Sequence, residues 1–185
     1  MHPDTSLADA VAALRAGGVI AYPTEAVWGL GCDPDDEAAL TRLLRLKRRE
    51  PAKGVILVAA DLEQFAPWLE GLDAERRRAL TTPRGTPTTW LVPDNGRATA
   101  LVRGDHDRVA LRVSDHPLVA TLCRAFGGPI VSTSANRAGE PSAMSAEEIR
   151  GIFGDELDAV LDGPLGGHDR PSTIRDLLTG RVLRD

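Results

Sequence analysis

The run Val55-Ile56-Leu57-Val58 constrains the fold of this chain more than any other stretch. Its apolar residues follow one another without polar alternation, which predicts a strand buried on both faces. Other apolar runs repeat this pattern along the chain, and Gly, Pro or polar turns end each of them. The further strands are predicted at 19–22, 88–92, 109–113, 129–131, 159–161 and 173–176.

Segments with helical periodicity lie between these strands. Ser6 and Asp9 have the spacing of a capping box at the start of the first helix. Acidic residues open the second helix, and Pro51 forces the chain out of it. The helical segments are predicted to begin near Leu7, Pro34, Asp61, Leu118 and Ser145.

Composition limits the classes of function. A chain of 185 residues with 42% hydrophobic and 26% charged residues predicts one globular domain over residues 1–185. Aromatic residues, at 4%, are too scarce for a base-stacking surface. The net charge of −5 disfavours broad nucleic-acid binding but permits one basic cleft. Cys32 and Cys123 have no metal-ligand spacing, so neither a metal site nor a tightly bound cofactor is expected.

Nothing in the sequence predicts secretion or membrane insertion. The N-terminal region lacks the basic and apolar parts of a signal peptide. The longest apolar run, 55–60, is far too short to span a bilayer. We therefore expect a cytoplasmic protein that makes no contact with a membrane.

The basic segment, residues 42–53, concentrates cations in a chain that is acidic as a whole. Such a cluster indicates a local field suited to an anion. It can equally be a solvated face at the end of a helix, where cations offset the helix dipole. Charge alone favours the solvated face. The cations of the segment are Arg42, Arg45, Lys47, Arg48, Arg49 and Lys53.

Two further features suggest a ligand site. The segment 132–142 is rich in small hydroxyl residues and follows a predicted strand, where ligands of open α/β sheets bind, although such residues also make ordinary turns. Arg112 lies inside an apolar strand, which is costly unless it is paired or aimed into a cleft. The alternative is an edge strand with Arg112 facing water.

The sequence lacks the common catalytic motifs. It contains no P-loop, no nucleophile elbow, no HExxH and no EF-hand loop. What it offers instead are cations and hydroxyls near predicted strand ends. This inventory suits phosphate and carboxylate binding, and therefore phosphoryl or nucleotidyl transfer, in which positioning and charge neutralisation do most of the work.

Taken together, these stretches resemble the YrdC family, the threonylcarbamoyl-AMP synthases of tRNA modification. The length is similar to that of the short, single-domain bacterial class. The resemblance implies an α/β fold, with a twisted mixed sheet flanked by helices and a large, positively lined concave cleft. The matching stretches, in the family's order, are 23–33, Lys47-Arg48-Arg49 with Lys53, 111–113 with His116-Pro117, 132–136 and 171–174.

The resemblance also implies a reaction. L-threonine, bicarbonate (or CO2) and ATP, the last accompanied by Mg2+, would give threonylcarbamoyl-AMP and pyrophosphate, which makes the enzyme a nucleotidyltransferase. Downstream proteins would then transfer the threonylcarbamoyl group to adenosine 37 of tRNAs that read ANN codons. Weak binding of tRNA or double-stranded RNA is an additional open expectation.

Site residues follow from the resemblance, position by position. Lys47 and Arg49 would be catalytic. The implied ATP-binding residues are Arg49, Lys53, Ser134, Asn136, Ser142 and Arg184. The implied threonine-binding residues are Thr24, Arg112, Ser132 and Ser172.

The chain departs from the family at Ala26, Lys53-Gly54 and Val58, so the amino-acid side of the pocket is expected to be built differently. Arg84 replaces part of a Pro-rich sequence, and is either a cation at the cleft rim or a surface turn residue. Two alternative functions remain at this point. One is an RNA-binding module that uses the basic cleft on double-stranded RNA. The other is a carbamoyl-transfer domain like that of hydrogenase-maturation proteins.

Overall fold

The computed structural model describes residues 5–82 and 85–184, and a single mixed sheet runs through them. Arg84 lies outside the described residues. The strands are β1 (Ile20–Pro23), β2 (Trp28–Gly31), β3 (Ile56–Ala59), β4 (Thr88–Pro93), β5 (Arg108–Val113), β6 (Ile130–Ser134), β7 (Ala159–Val160), β8 (Thr173–Asp176) and β9 (Val182–Arg184). Their order is β7-β1-β2-β6-β3-β5-β4-β8-β9. The pairs β1/β7, β3/β5 and β4/β8 are parallel, and the other neighbours are antiparallel.

Helices flank this sheet. They are α1 (Leu7–Arg15), α2 (Glu37–Lys47), α3 (Ala74–Thr81), α4 (Ala100–Arg103), α5 (Pro117–Phe126) and α6 (Ala146–Phe153), with 3-10 turns at Pro51–Lys53, Glu63–Trp68 and Gly154–Glu156. The predicted capping box of Ser6 and Asp9 opens α1. None of the helices in the described ranges combines the length and the apolar character needed to cross a membrane.

The two faces of the sheet bury different cores, because successive strand residues point to opposite sides. On one face Tyr22, Val58 and Ile130 pack with α1 and α5. On the other face Leu57 and Leu111 belong to a larger core that includes the apolar stripes of α2 and α6. The predicted buried strand 55–58 corresponds to β3 at the centre of the sheet, where Leu57, Val58 and Ala59 are fully buried.

The helices α1 and α5 cover only part of their face. Beyond them, residues of the same strands that point to this face line an open cavity instead of a core. Ile56 of β3, Ala110 and Arg112 of β5, and Ser132 of β6 belong to that lining. The cavity therefore begins where the cover of this sheet face by α1 and α5 ends.

The predicted helix over 61–80 is wrong as a continuous element. A 3-10 turn over Glu63–Trp68 is followed by a break and then by α3. Pro67 removes a backbone donor inside the segment, and Gly71 takes a positive φ of 83°, so an α-helix cannot continue. Within α3, the guanidinium of Arg77 donates to the carbonyls of Leu72 and Leu69, which ties this helix to the preceding segment.

The glycine-rich stretch after Pro23 forms strand β2, which the sequence pattern did not predict. Its glycines allow a close approach of neighbouring groups, as expected. A Cβ on Gly31 would lie 2.6 Å from the Val131 carbonyl oxygen and 2.8 Å from Cε1 of Tyr22. The groups that approach Gly31 closely therefore belong to the sheet itself, because the tight β1/β2 hairpin pairs with β6.

Candidate functional site

A cavity of about 520 Å³ occupies the uncovered part of the sheet face. Its lining residues lie in the segments 24–29, 49–56, 102–112, 132–142 and 170–184, together with Leu91 of β4. Among the described residues, its cationic lining outnumbers the two carboxylates, Glu25 and Asp107. The cations are Arg49, Lys53, Arg103, Arg108, Arg112, Arg170 and Arg184. The lining therefore suits an anionic ligand.

The turn that ends α2 places neighbouring residues of the basic segment in different surroundings. The Arg48 N–H donates to the Arg45 carbonyl, and the Arg49 N–H donates to the Leu44 carbonyl, which is the hydrogen-bond pattern of a Schellman motif. The left-handed position of this motif is Arg48, with φ 53°. This turn ends the helix between Lys47, which is buried, and Arg49, which lines the cavity.

The side chain of Lys47 contacts the hydroxyl-rich loop after β6 and is not among the described residues that line the cavity. It is buried at the end of α2, and its Nζ donates to the Ser134 carbonyl and, at 3.1 and 3.2 Å, to the carbonyl and the Oδ1 of Asn136. Burial, with a smaller contribution from the charge of Arg49, lowers the pKa of Lys47 to about 8. Lys47, which the resemblance implies is catalytic, is therefore not part of the cavity lining among the described residues, and its donors are used on the loop.

Asn136 and Ser134 form the framework of that loop. The Asn136 side-chain amide donates to the carbonyls of Arg137 and Glu140 at 3.0 and 2.9 Å. Its Oδ1 accepts from Ser134 Oγ at 2.7 Å as well as from Lys47. Ser134 lines the cavity. Asn136 is not part of that lining within the described residues, so its place is that of a residue that shapes the loop.

Arg49 and Lys53 also belong to the cavity lining. The Arg49 Nε and Nη2 both donate to the Gly54 carbonyl, at 3.2 and 2.9 Å, which fixes one edge of the guanidinium. Burial lowers the pKa of Arg49. Lys53 is largely exposed, and its nearest carboxylate, that of Glu50, is 3.8 Å away. A phosphate chain could therefore contact Lys53 at little desolvation cost.

Arg112 is buried, not on a wet edge. Strand β5 lies between β3 and β4, so the alternative of an edge strand is wrong. The Arg112 Nη1 donates to Glu25 Oε2 at 2.7 Å, while its buried Nε has no hydrogen-bond partner among the described residues. Glu25 also accepts from Ser114 Oγ at 2.7 Å. A guanidinium that lines a cavity and is held in place by a carboxylate behind it is a suitable group for binding a carboxylate ligand.

The remaining predicted residues also lie at the cavity wall. Ser172 Oγ is 2.7 Å from Thr89 Oγ1, and Arg184 Nη2 donates to the Ser172 carbonyl at 2.8 Å, so β9 fixes the start of β8. Burial, followed by the charge of Arg112, lowers the pKa of Arg184. The hydroxyl of Thr24 donates to the Val27 carbonyl at 2.6 Å within the β1/β2 turn. The predicted residues that line the cavity are Thr24, Arg49, Lys53, Arg112, Ser132, Ser134, Ser142, Ser172 and Arg184.

Two of the positions that depart from the family pattern, Ala26 and Val58, have different surroundings. Ala26 lines the cavity, whereas Val58 is fully buried in the core under α1 and α5. Val58 therefore lies among apolar side chains, not against a ligand. No group of three or more His, Cys, Asp or Glu side chains within the described ranges is arranged to hold a metal ion.

Sequence reasoning missed several lining residues. Arg108 could have been found, because it precedes Arg112 by an even number of strand positions and shares its face. Arg103 belongs to the short helix α4, which the sequence pattern did not predict. Glu25 lies inside a matched motif, but no local pattern pairs it with Arg112, 87 residues later.

Comparison with known proteins agrees with this geometry. The Sua5_yciO_yrdC family model (Telomere recombination) matches residues 12–185. A protein of Chromohalobacter salexigens named threonylcarbamoyl-AMP synthase is 65% identical over 178 residues, 96% of each chain. Proteins of the same name from Cellvibrio japonicus and Stenotrophomonas maltophilia are 57% and 55% identical, over 92% and 98% of this chain and 90% and 98% of theirs.

Solved structures show the same fold. P. abyssi Sua5 complexed with L-threonine superposes with a TM-score of 0.86 at 28% identity, and the match covers 95% of this chain and 52% of that chain. E. coli YciO gives a TM-score of 0.80 at 26% identity, over 100% of this chain and 93% of that one. With the family model covering nearly the whole sequence, the chain belongs to the Sua5/YciO/YrdC family.

Proposed function

We propose that this chain is a threonylcarbamoyl-AMP synthase, which makes threonylcarbamoyl-AMP and pyrophosphate from L-threonine, bicarbonate or CO2, and ATP. The observation that carries the proposal is the pair of cationic regions in one cavity. Arg112, held by Glu25, is a lining guanidinium suited to a carboxylate, and Arg49 and Lys53 are lining cations suited to a polyphosphate. Relatives that match nearly the whole chain bear this name.

The proposed chemistry needs no nucleophile from the protein. The amine of threonine attacks CO2, losing a proton, and gives a carbamate. A carbamate oxygen then attacks the α-phosphorus of ATP, and the bond between the α- and β-phosphates breaks with pyrophosphate as the leaving group. Because both reactants are anions, cations that offset their repulsion are the contribution that the protein must supply.

Each part of the cavity has a role in this scheme. Arg112 holds the threonine carboxylate, beside Thr24, Ser132 and Ser172. Arg49 and Lys53 bind the polyphosphate, and Mg2+ arrives with ATP as part of that substrate. The nucleotide lies along the loop that carries Ser134 and Ser142, with Arg184 at its edge. Lys47 and Asn136 support catalysis by holding this loop in place.

The proposal extends to the product. Threonylcarbamoyl-AMP is a reactive mixed anhydride, so it suits a short-lived intermediate handed to proteins that modify adenosine 37 of tRNA. A direct weak contact with tRNA or double-stranded RNA would use the same cations, and it would depend steeply on salt. Since the substrates and tRNA are cytoplasmic, we place the enzyme in the cytoplasm.

The deciding experiment is pyrophosphate release from ATP and Mg2+, measured with and without L-threonine and with and without bicarbonate. We expect release only when both are present, together with a product of the mass of threonylcarbamoyl-AMP. Release that ignores threonine would overturn the proposal. RNA binding that is insensitive to ATP, without any release, would favour an RNA-binding module instead.

A further inference from the structure

We infer that Glu25 is a positioning residue, which holds the Arg112 guanidinium in the orientation that binds the substrate carboxylate. The inference rests on the proposed function, because it assigns to Arg112 the recognition of that carboxylate. It concerns a residue that the sequence motif contains but that sequence reasoning left without a role.

The contact geometry fixes Glu25 at both oxygens. Oε2 accepts from Arg112 Nη1 at 2.7 Å, and Oε1 accepts from Ser114 Oγ at 2.7 Å. The Glu25 residue is only 3% exposed, and Arg112 is 8% exposed. A charge-assisted hydrogen bond of this length between two buried groups fixes the plane of the guanidinium. At an exposed site, water would compete for the same donor, and the plane would not be fixed.

The same contact leaves part of Arg112 available to a ligand. Glu25 takes one Nη1 donor, while the buried Nε–H has no partner within the described part of the chain. Arg112 also lines the cavity, and because its Nε is enclosed by protein, a ligand there would be bound through the outer nitrogens of the guanidinium. A carboxylate binds a guanidinium best through two parallel N–H groups, and this needs a fixed plane.

Ser114 and His116 keep Glu25 itself in place. The Ser114 Oγ accepts from the His116 N–H at 3.2 Å, which directs its own proton to Glu25. His116 caps α5, because its Nδ1 accepts from the Leu118 N–H at 3.2 Å. Its Nε2–H therefore donates to the Pro164 carbonyl, 3.0 Å away. Glu25 is thus held by the start of α5, which is anchored in turn through Pro164 to the loop after β7.

Glu25 is unsuited to act directly as a base on the threonine amine. Burial raises the pKa of its carboxyl, but the charge of Arg112 and the hydrogen bond from Ser114 outweigh this and leave the pKa below its usual value. Both oxygens already accept hydrogen bonds. Its effect on the reaction must therefore pass through Arg112.

The test compares Glu25→Gln, which keeps the shape of the side chain but removes its charge, with Glu70→Gln at an exposed site as the matched control. The readouts are kcat, the KM for L-threonine, the KM for ATP and the inhibition constant of L-threoninamide, which lacks the carboxylate. Ser114→Ala is a second variant, which loosens Glu25 without removing it. Circular dichroism and the midpoint of thermal unfolding report the fold of each variant.

We expect Glu25→Gln to raise the KM for threonine about tenfold, Ser114→Ala to raise it about threefold, and neither to change the KM for ATP more than about twofold. The preference for threonine over threoninamide should shrink in both variants, because the contact between Arg112 and the threonine carboxylate is weakened. Glu70→Gln should resemble the wild type in every readout.

Three outcomes would overturn the role of Glu25: an unchanged KM for threonine, an equal rise in both KM values, or an unchanged preference for threonine over threoninamide. If Glu25→Gln fails to fold, the same criteria apply to Ser114→Ala. Failure of the proposed function would look different, since the wild type would then release pyrophosphate without threonine or not at all.

Discussion

The Nζ atom of Lys47 lies 3.1 Å from the main-chain oxygen of Asn136 and 3.2 Å from its Oδ1, which joins two segments 89 residues apart. The end of α2 and the loop after β6 therefore form one structural unit. Lys47 supplies three N–H donors to it, and the acceptors belong to Ser134 and Asn136. Because the donors of Lys47 are used on the loop, we expect Lys47 to act on a bound ligand indirectly, through the loop that it shapes.

Lys47→Met tests this indirect role. The substitution keeps an unbranched, buried side chain but leaves loop carbonyls without donors, at a cost of about 1–3 kcal/mol for each buried group. We expect the KM for ATP to rise by about tenfold or more, with a smaller change in the KM for threonine. Steady-state kinetics in both substrates measure this. A selective loss of threonine binding would contradict it.

The pH dependence of ATP binding follows from the same residue. Lys47 has a pKa of about 8, so its ammonium donates three hydrogen bonds below that pH. Above it the neutral amine has only two N–H groups for the same acceptors. ATP affinity should therefore be constant near neutral pH and fall as the pH rises through about 8. Calorimetric titration at a series of pH values measures this.

Lys47→Arg is the control for the pH experiment, because a guanidinium stays protonated over the same range. Its ATP affinity should vary little with pH, whatever its absolute value. If the wild-type affinity shows no alkaline decline below about pH 10, then protonation of Lys47 does not hold the loop.

Arg112→Ala should act chiefly on threonine. The loss of a bidentate, charge-assisted contact, and the unpaired Glu25 that it leaves behind, should lower kcat/KM for threonine by about a hundredfold or more. The KM for ATP should change little, because Arg49 and Lys53 remain. Pyrophosphate release at varied threonine and fixed ATP measures this. An ATP defect as large as the threonine defect would refute the assignment.

Arg49→Ala should show the reverse selectivity. Arg49 lines the cavity and is fixed by its two hydrogen bonds to the Gly54 carbonyl, so its removal should raise the KM for ATP by about tenfold or more. Arg42→Ala is the matched control, since Arg42 pairs with Asp158 at 2.5 Å, away from the cavity lining. We expect Arg42→Ala to have near wild-type kinetics.

Arg48→Gly should stabilise the protein. Arg48 is exposed and takes the left-handed conformation with φ 53°, which favours glycine by about 1 kcal/mol. The thermal midpoint should rise by roughly 2–4 °C for a chain of this size, with unchanged activity. Arg45→Gly, inside the last turn of α2, should instead destabilise by about 1 kcal/mol. Equal effects of the two substitutions would contradict this explanation.

The sequence by itself determined much of the secondary structure and the family. The strand at 55–58 followed from an unbroken apolar run, and the start of α1 followed from the Ser6 and Asp9 spacing, since both signals are local. The break inside 61–80 was also local, in Pro67, but the charged helical pattern around it obscured that signal.

Only the tertiary structure decided what the members of the basic segment do. Lys47, Arg48 and Arg49 are adjacent and equally charged in the sequence. One left-handed residue at the helix end separates them into a loop anchor, an exposed turn residue and a cavity residue. Likewise, the sequence allowed Arg112 to be a solvent-facing cation on an edge strand. The strand order instead places β5 inside the sheet, where Arg112 is bonded to Glu25. Charge and spacing are local properties, whereas burial and partners depend on which distant segments the sheet brings together.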